Sequence, residues 1–455
     1  MSRILLTALL FQLAGILTAQ PNYSGLSPEE AARKAGRENK LVMMVVSSEK
    51  CTQCNQVANV GLAAAKPAID STCILIQQPH LPAAIMADNA FFIVPKDFFG
   101  IVFLNSSLDI LYVMNSSSSL GYNYISAIRK AKEAAGNQGT SFSELKRQYY
   151  NKLGDFMVIR ELIDKVISAK LEPTADIINE LTRKAPADSA NSIFFLQYVL
   201  RCAPGVGSFA QQYAEKNRDN YMMAWWRMTL SERAAINQRI SNKSMQKAIG
   251  EKNLNYAYQV AGFSQRTYTD KPEDGAKANM QLMLQYYKGI NDTANYMRHV
   301  FSFYDNYYMN VKPEDIRKQD AERPKSTPLP DSIQQKILAD AIKKKPMYVP
   351  RMVSYVPKAQ FYASALNEGA WTVYTYSKNP LYINKALLMA RRALEFYETA
   401  ETMDTYARLL YRTGNKEEAI TWEDKAIALK KSRKLPATEF EQVVRLMREG
   451  AAEID

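Results

Sequence analysis

Two of the four cysteines in this 455-residue chain stand three positions apart, in Cys51-Thr52-Gln53-Cys54. That spacing suits two thiols that trade a disulfide between them. Were a helix to start there, the first sulfur would sit among unpaired backbone N–H groups at the positive end of the helix dipole, which favours thiolate. Lys50 adds a nearby cation. The second sulfur, one turn on along the same face, is then close enough to close an intramolecular disulfide or to resolve a mixed one. On this reading Cys51 is the attacking thiol and Cys54 the resolving thiol. The residues leave two alternatives open, a stable structural disulfide or inert pair, and a metal site. Zinc wants four ligands, and a second CxxC or an HxxxH is missing.

Little else in the chain offers chemistry. His80 and His299 are the only histidines, and His80, in Gln77-Gln78-Pro79-His80-Leu81, reads as a loop residue. Cys73 reads as a buried strand residue and Cys202 as a thiol at a helix end, in different domains. G-x-S-x-G, a P-loop, a dinucleotide-binding glycine pattern after a strand and HExxH are all missing. Adjacent acids such as Glu417-Glu418 read as solvated charges on a helix face. No cofactor is expected.

The elements that would hold the dithiol are legible on both sides of it. Ser27-Pro28-Glu29-Glu30 opens a helix with an N-cap serine, Pro at N1 and early acids, and the pattern ends it near Gly36. Leu41 to Val46 is an uninterrupted apolar run rich in β-branched residues, as in a strand buried on both faces of an α/β sheet. A short polar segment leads into the CxxC, and an Ala-rich helical stretch reaches about Lys66. This order of helix, buried strand, CxxC and helix resembles the thioredoxin superfamily, and more closely its exported, thioredoxin-related branch, over residues 25–137. The resemblance implies a second strand at 73–77, a closing hairpin from 101–105 and 109–114 around Ser106-Ser107-Leu108, and a terminal helix at 119–135. It also implies oxidoreductase use of Cys51 and Cys54. There are departures. The cis-proline usual before the hairpin strand is replaced by Phe99-Gly100, the nearest proline being Pro95. Lys50 replaces Trp before the first cysteine, the dipeptide is Thr-Gln, and strand 73–77 has no acid to accept a proton behind the second cysteine.

Residues 1–20 carry Arg3, an apolar stretch from Ile4 to Leu17 and the small pair Thr18-Ala19, the pattern of a signal peptide over 1–19. The expected location is therefore periplasmic or extracellular, where disulfides persist. After residue 20 no apolar run approaches the ~20 residues of a spanning helix, so no integral span is expected once the signal is cut, and a polytopic membrane protein is excluded. With 47% hydrophobic and 23% charged residues the chain can bury a core, and its 18 Gly and 4 Cys exclude a collagenous chain or a disulfide-dense miniature. The net charge of +12 lies mostly beyond residue 140, since residues 1–140 hold 11 Lys/Arg against 9 Asp/Glu. Basic runs such as Lys343-Lys344-Lys345 lack interleaved aromatics, so no nucleic-acid partner is expected.

From about Phe142 strand-like runs give way to helices of ten to eighteen residues, with turns expected at Glu172-Pro173-Thr174 and Ala185-Pro186-Ala187-Asp188. Ala386/Ala393 and Ala419/Ala426 repeat one spacing 33 residues apart, placing small residues where paired helices approach. Residues 405–426 resemble a tetratricopeptide repeat, with Gly414 in the turn and Ala419 and Ala426 at the small positions. Met403 stands where such repeats usually have Trp, and the terminal Pro is missing. Aromatic groups such as Phe301 to Tyr308 read as helix core. The expected organisation is a signal peptide (1–19), an α/β thioredoxin-like domain (25–137), an α-helical repeat-like region (142–310), a proline-rich charged connection (311–330) and a TPR-like helical region (331–455). Two functions fit: an exported thiol-disulfide oxidoreductase whose helices hold a protein client or envelope protein partner, or a non-catalytic envelope scaffold with a degenerate thioredoxin-like domain.

Overall fold

A computed structural model describes residues 23–47, 52–82, 85, 90–94, 98–136, 139–151, 154–322, 356–433 and 435–454. The signal-peptide reading, Cys51, Pro95, the lysine run at 343–345 and residues 323–330 of the expected connection lie outside the described residues. The chain divides into two compact units, Met1–Ile240 and Ser241–Asp455.

In the first unit, α1 (Pro28–Glu38) leads to β1 (Leu41–Val46), α2 (Thr52–Ala64), α3 (Lys66–Thr72) and β2 (Cys73–Gln78). A two-residue β3 (Phe92–Ile93) precedes the hairpin of β4 (Gly100–Leu104) and β5 (Ile110–Met114), after which comes α4 (Gly121–Gly136). Ser27 caps α1 through a reciprocal bond with Glu30, as the sequence predicts, but the helix runs past Gly36 to a left-handed Asn39. The hairpin turns at Leu108, whose φ is +63°.

The main sheet has the order β2-β1-β4-β5. β1 runs parallel to β2 and antiparallel to β4, which pairs antiparallel with β5. All six residues of β1 are buried, and they split by parity between two cores. Leu41, Met43 and Val45 join Leu62, Ile69, Tyr124 and Ile128 beneath α2–α4. Val42, Met44 and Val46 face the opposite way.

That opposite core corrects the domain boundary expected at Phe142. It contains Leu145 of α5 (Phe142–Asn151), Ile159, Leu162 and Ile163 of α6 (Phe156–Ser168), Ile178 of α7 (Ala175–Arg183), Val199 of α8 (Ile193–Arg201) and Ala210 of α9 (Phe209–Lys216). The first of the helices expected to form a repeat region are instead the second layer on the sheet. Burial is the reason: an all-apolar central strand needs cover on both faces, α2–α4 supply one, and on the other α1 contributes only the small side chains of Ala31, Ala32 and Ala35. Glu172-Pro173, expected as a turn, forms β6 (Glu172–Pro173), antiparallel to β3. Arg239 clamps Glu172 with Nε and Nη2, both at 2.7 Å.

The first unit ends through α10 (Arg218–Trp226) into α11 (Leu230–Gly250), which crosses the division at residue 240. The described elements of the second unit are helices: α12 (Leu254–Arg266), α13 (Pro272–Gly289), α14 (Thr293–Tyr304) and α15 (Pro313–Ala321), then α16 (Lys358–Tyr376), α17 (Pro380–Phe396), α18 (Ala400–Arg412), α19 (Lys416–Ser432) and α20 (Thr438–Arg448). Part of the expected connection, Pro313–Ala321, is thus a helix. Pro at N1 and acids at 314 and 315 favour its start, and Asp320 receives the N–H groups of Lys358 and Ala359. Ala386, Ala393, Ala419 and Ala426 are fully buried, where α16–α17 and α18–α19 pack as antiparallel pairs, and Gly414 turns the second pair at φ +91°. The aromatic run from Phe301 is core: Phe303, Tyr304 and Tyr308 are buried and their rings meet at 5.2–5.7 Å.

Candidate functional site

The helix that follows β1 starts at Thr52, one residue after Cys51 in the chain, so Cys54 occupies its first turn. Cys54 is disulfide-bonded. Cys73 and Cys202 are buried thiols elsewhere. Cys73 begins β2, as the sequence predicts, and burial pushes its thiol up to about 12, so it is inert as a nucleophile near neutral pH. Cys202 ends α8, its N–H donating to the Tyr198 carbonyl at 3.0 Å. His80 is exposed after β2, and His299 stacks on Tyr287 with ring centroids 5.6 Å apart.

Pairing of β1 with β4 brings the cysteine helix to Phe99-Gly100. Val46 lies opposite Gly100 and Val45 opposite Ile101, so the end of β1, from which the chain leaves toward the cysteines, meets the start of β4. Cys54, Phe99 and Gly100 line one narrow cleft with Tyr23, Asn55 and Tyr124. Its free volume of about 10 Å³ is that of one water molecule. Gly100 is required where it stands. Its φ is +145°, and a Cβ there would lie 2.2 Å from the Met114 carbonyl oxygen.

Close approach also fixes α2. A Cβ on Gly61 would lie 2.1 Å from the Ser118 carbonyl and 2.4 Å from the Tyr124 ring. The Tyr124 hydroxyl donates to Ser118 O at 2.9 Å and accepts from Ser118 N–H at 3.0 Å. On the other side the Tyr23 hydroxyl donates to Asn59 Oδ1 at 3.0 Å, and burial pushes that phenol up to about 12. The described side chains that line the cleft are apolar or neutral and polar.

A second cluster, in the second unit, escaped the sequence reading. Glu423 on α19 is fully buried, and neither of its carboxyl oxygens receives a hydrogen bond from a donor. Across from it on α18, buried Arg408 donates through Nε to Asp404 at 2.8 Å, leaves Nη1 unbonded, and lies 5.4 Å from the Trp371 ring centre. Burial, with Asp404 alongside, pushes the Glu423 carboxyl up to about 9. Burial raises Asp404 as well. Two buried carboxyls facing one guanidinium keep a proton between them. The sequence did carry a signal: Glu423 stands four residues after Ala419 and three before Ala426, on the buried face.

Among the described residues, no group of three or more His, Cys, Asp or Glu is arranged to hold a metal ion. No described helix is long and apolar enough to cross a membrane. No family model matches this chain, and no curated protein or solved structure matches it either.

Proposed function

We propose that this chain is an exported thioredoxin-like protein that exchanges disulfides through Cys51 and Cys54, with its helices holding a protein client. One observation carries the reading. Cys54, disulfide-bonded, lies in the first turn of the helix that leaves the buried central strand, beside the start of an antiparallel strand, in a sheet of order β2-β1-β4-β5. Further support comes from α4 on the same face as α2, where the resemblance puts the terminal helix, and from the α16–α19 pairs, which suit TPR-like packing.

In the forward direction the Cys51 thiolate attacks one sulfur of a client disulfide, and the other client sulfur leaves as thiolate. Cys54, once deprotonated, attacks Cys51 in the mixed disulfide and releases the second client thiolate. The client gains two electrons, and the Cys51–Cys54 pair is left oxidised. The helix dipole stabilises the Cys51 anion. A reduced thiol donor returns the pair to its starting state.

A second reading has support of its own, because Phe99-Gly100 stands beside Cys54 at the start of β4, where the resemblance expects a proline that helps bind substrate. On that reading the α/β unit is a non-catalytic scaffold and the helices organise an envelope assembly. Thiol trapping of the purified chain, followed by a disulfide-reduction assay on wild type and Cys51→Ser, separates the two. Reduction that is present in wild type and lost in Cys51→Ser is expected. Activity that survives Cys51→Ser overturns the oxidoreductase reading, and an inert wild type leaves the scaffold.

A further inference from the structure

The segment before α1 does more than lead into the fold. Ser24 is fixed to β2, an edge strand, by two bonds to the Leu75 carbonyl, one from its N–H and one from its hydroxyl, both at 2.9 Å. Tyr23, next in line, reaches across to α2 and donates to Asn59. Ser24 and Tyr23 therefore rest on different elements of the same sheet-and-helix layer, and the Tyr23 phenol forms one wall of the cleft that holds Cys54. Tyr124 forms another wall, locked by its two bonds to Ser118.

We propose that Tyr23 is a positioning residue that seals the cleft over Cys54, so that the sulfur at 54 meets only a mixed disulfide presented by its neighbour in the CxxC and is screened from thiols and oxidants in solution. This rests on reading residues 51 and 54 as the working pair. Three features favour the assignment. The cleft leaves room for a single water, so removal of a phenol-sized wall changes access greatly. Both anchors are hydrogen bonds that cross elements, one to β2 and one to α2, and together they hold the phenol at the cleft. The phenol stays protonated across the physiological range, because its burial disfavours the phenolate, so the bond to Asn59 persists wherever thiol exchange runs. The chemical consequence is that Cys54 serves the intramolecular step that releases the client.

The test uses the full-length chain with Cys51→Ser, which leaves Cys54 without that neighbouring sulfur. After reduction, iodoacetamide labelling of Cys54 is followed by peptide mass spectrometry in Cys51→Ser, Cys51→Ser/Tyr23→Phe and Cys51→Ser/Tyr23→Ala. Slow labelling is expected in the first, and a rise of about tenfold or more with Tyr23→Ala, the ratio that corresponds to losing about 1.4 kcal/mol of protection. Tyr23→Phe keeps the ring and loses the anchor, so it should fall between the two. Buried Cys73 in the same digest reports on the fold and should stay unlabelled in all three. Cys54 labelling at the rate of a free thiol before Tyr23 is touched overturns the proposal, as does an unchanged rate with Tyr23→Ala or Cys73 labelling that rises in step. A failed disulfide-reduction assay with the labelling pattern intact sinks the oxidoreductase function and leaves the seal.

Discussion

The Cys54 cleft and the Glu423 cluster are both places where polar side chains enter a packed interior, and they do so on opposite terms. Around Cys54 the polar groups are neutral and bonded, Tyr23 to Asn59 across to α2 and Tyr124 back to Ser118 in the loop before α4. Around Glu423 the groups are ionisable, a guanidinium nitrogen goes without a partner, and Glu423 and Asp404 keep a proton between them. Neutral hydrogen bonds fix geometry without reference to pH, whereas buried ionisable groups make packing answer to it. Sulfur exchange, the function proposed for the cleft, would gain from the first arrangement, because walls that do not titrate leave the thiols as the only groups whose charge changes.

The largest test of this contrast is Arg408→Met. It leaves Asp404 and Glu423 buried without their cation and should cost the second unit about 3–5 kcal/mol, read as a fall in the midpoint of urea unfolding. A loss below about 1 kcal/mol would mean that the cluster is solvated and the contrast is empty. In the first unit, Gly100→Ala forces a side chain into a left-handed backbone and against the Met114 carbonyl. The backbone term alone should cost about 1–3 kcal/mol, and disulfide formation at Cys54 should be impaired in the same variant, as free-thiol titration would reveal.

Glu423→Gln tests the proton directly. The folded-state value of Glu423, about 9, lies above its ordinary value of 4.5, so folding binds a proton. The stabilisation this gives is complete below pH 4.5 and is lost as pH rises through 9. The stability of the second unit should therefore fall from pH 5 to pH 9, by at most about 1.4 kcal/mol per pH unit for a single proton. Calorimetry of Glu423→Gln should find a flatter profile, with the variant gaining on wild type as pH increases. An identical slope in the two proteins would place the proton elsewhere. The smallest effect belongs to Tyr124→Phe, which removes a neutral bond pair at the cleft wall. About 1 kcal/mol is expected, with no change in its pH dependence, and a pH-dependent loss would break the comparison from the other side.

What the sequence revealed, and what it hid, follows from the range of the forces involved. The α1 cap, the buried β1 and the 386–426 helix pairs were legible because caps, apolar runs and small-residue spacing act within a few residues, while the β4–β5 hairpin was expected from the resemblance. The start of α2 at Thr52 was legible for the same reason. The second layer on the sheet was not. Leu145 and Ile159 carry the same periodicity whether they face another helix or a strand far upstream, and nothing local distinguishes the two. β6 went unseen because a two-residue strand has no period, and its partner lies eighty residues earlier. The Tyr23 strap was hidden in a turn-rich segment with no pattern, and Glu423 went unremarked although its spacing from two alanines placed it inside.

The helices from α5 to α9, which cover one face of the sheet, also bear on how the molecule can be made. A ribosome delivers β1, β2, β4 and β5 well before those helices, so the nascent sheet carries an apolar face, formed by Val42, Met44, Ile76, Val102 and Leu104, that α1 covers only in part through Ala31, Ala32 and Ala35. Until the chain has lengthened through α9, that surface is open to chaperones or to a second nascent copy. A fragment cut at the end of α4 would keep this exposure permanently, and insolubility is its expected fate.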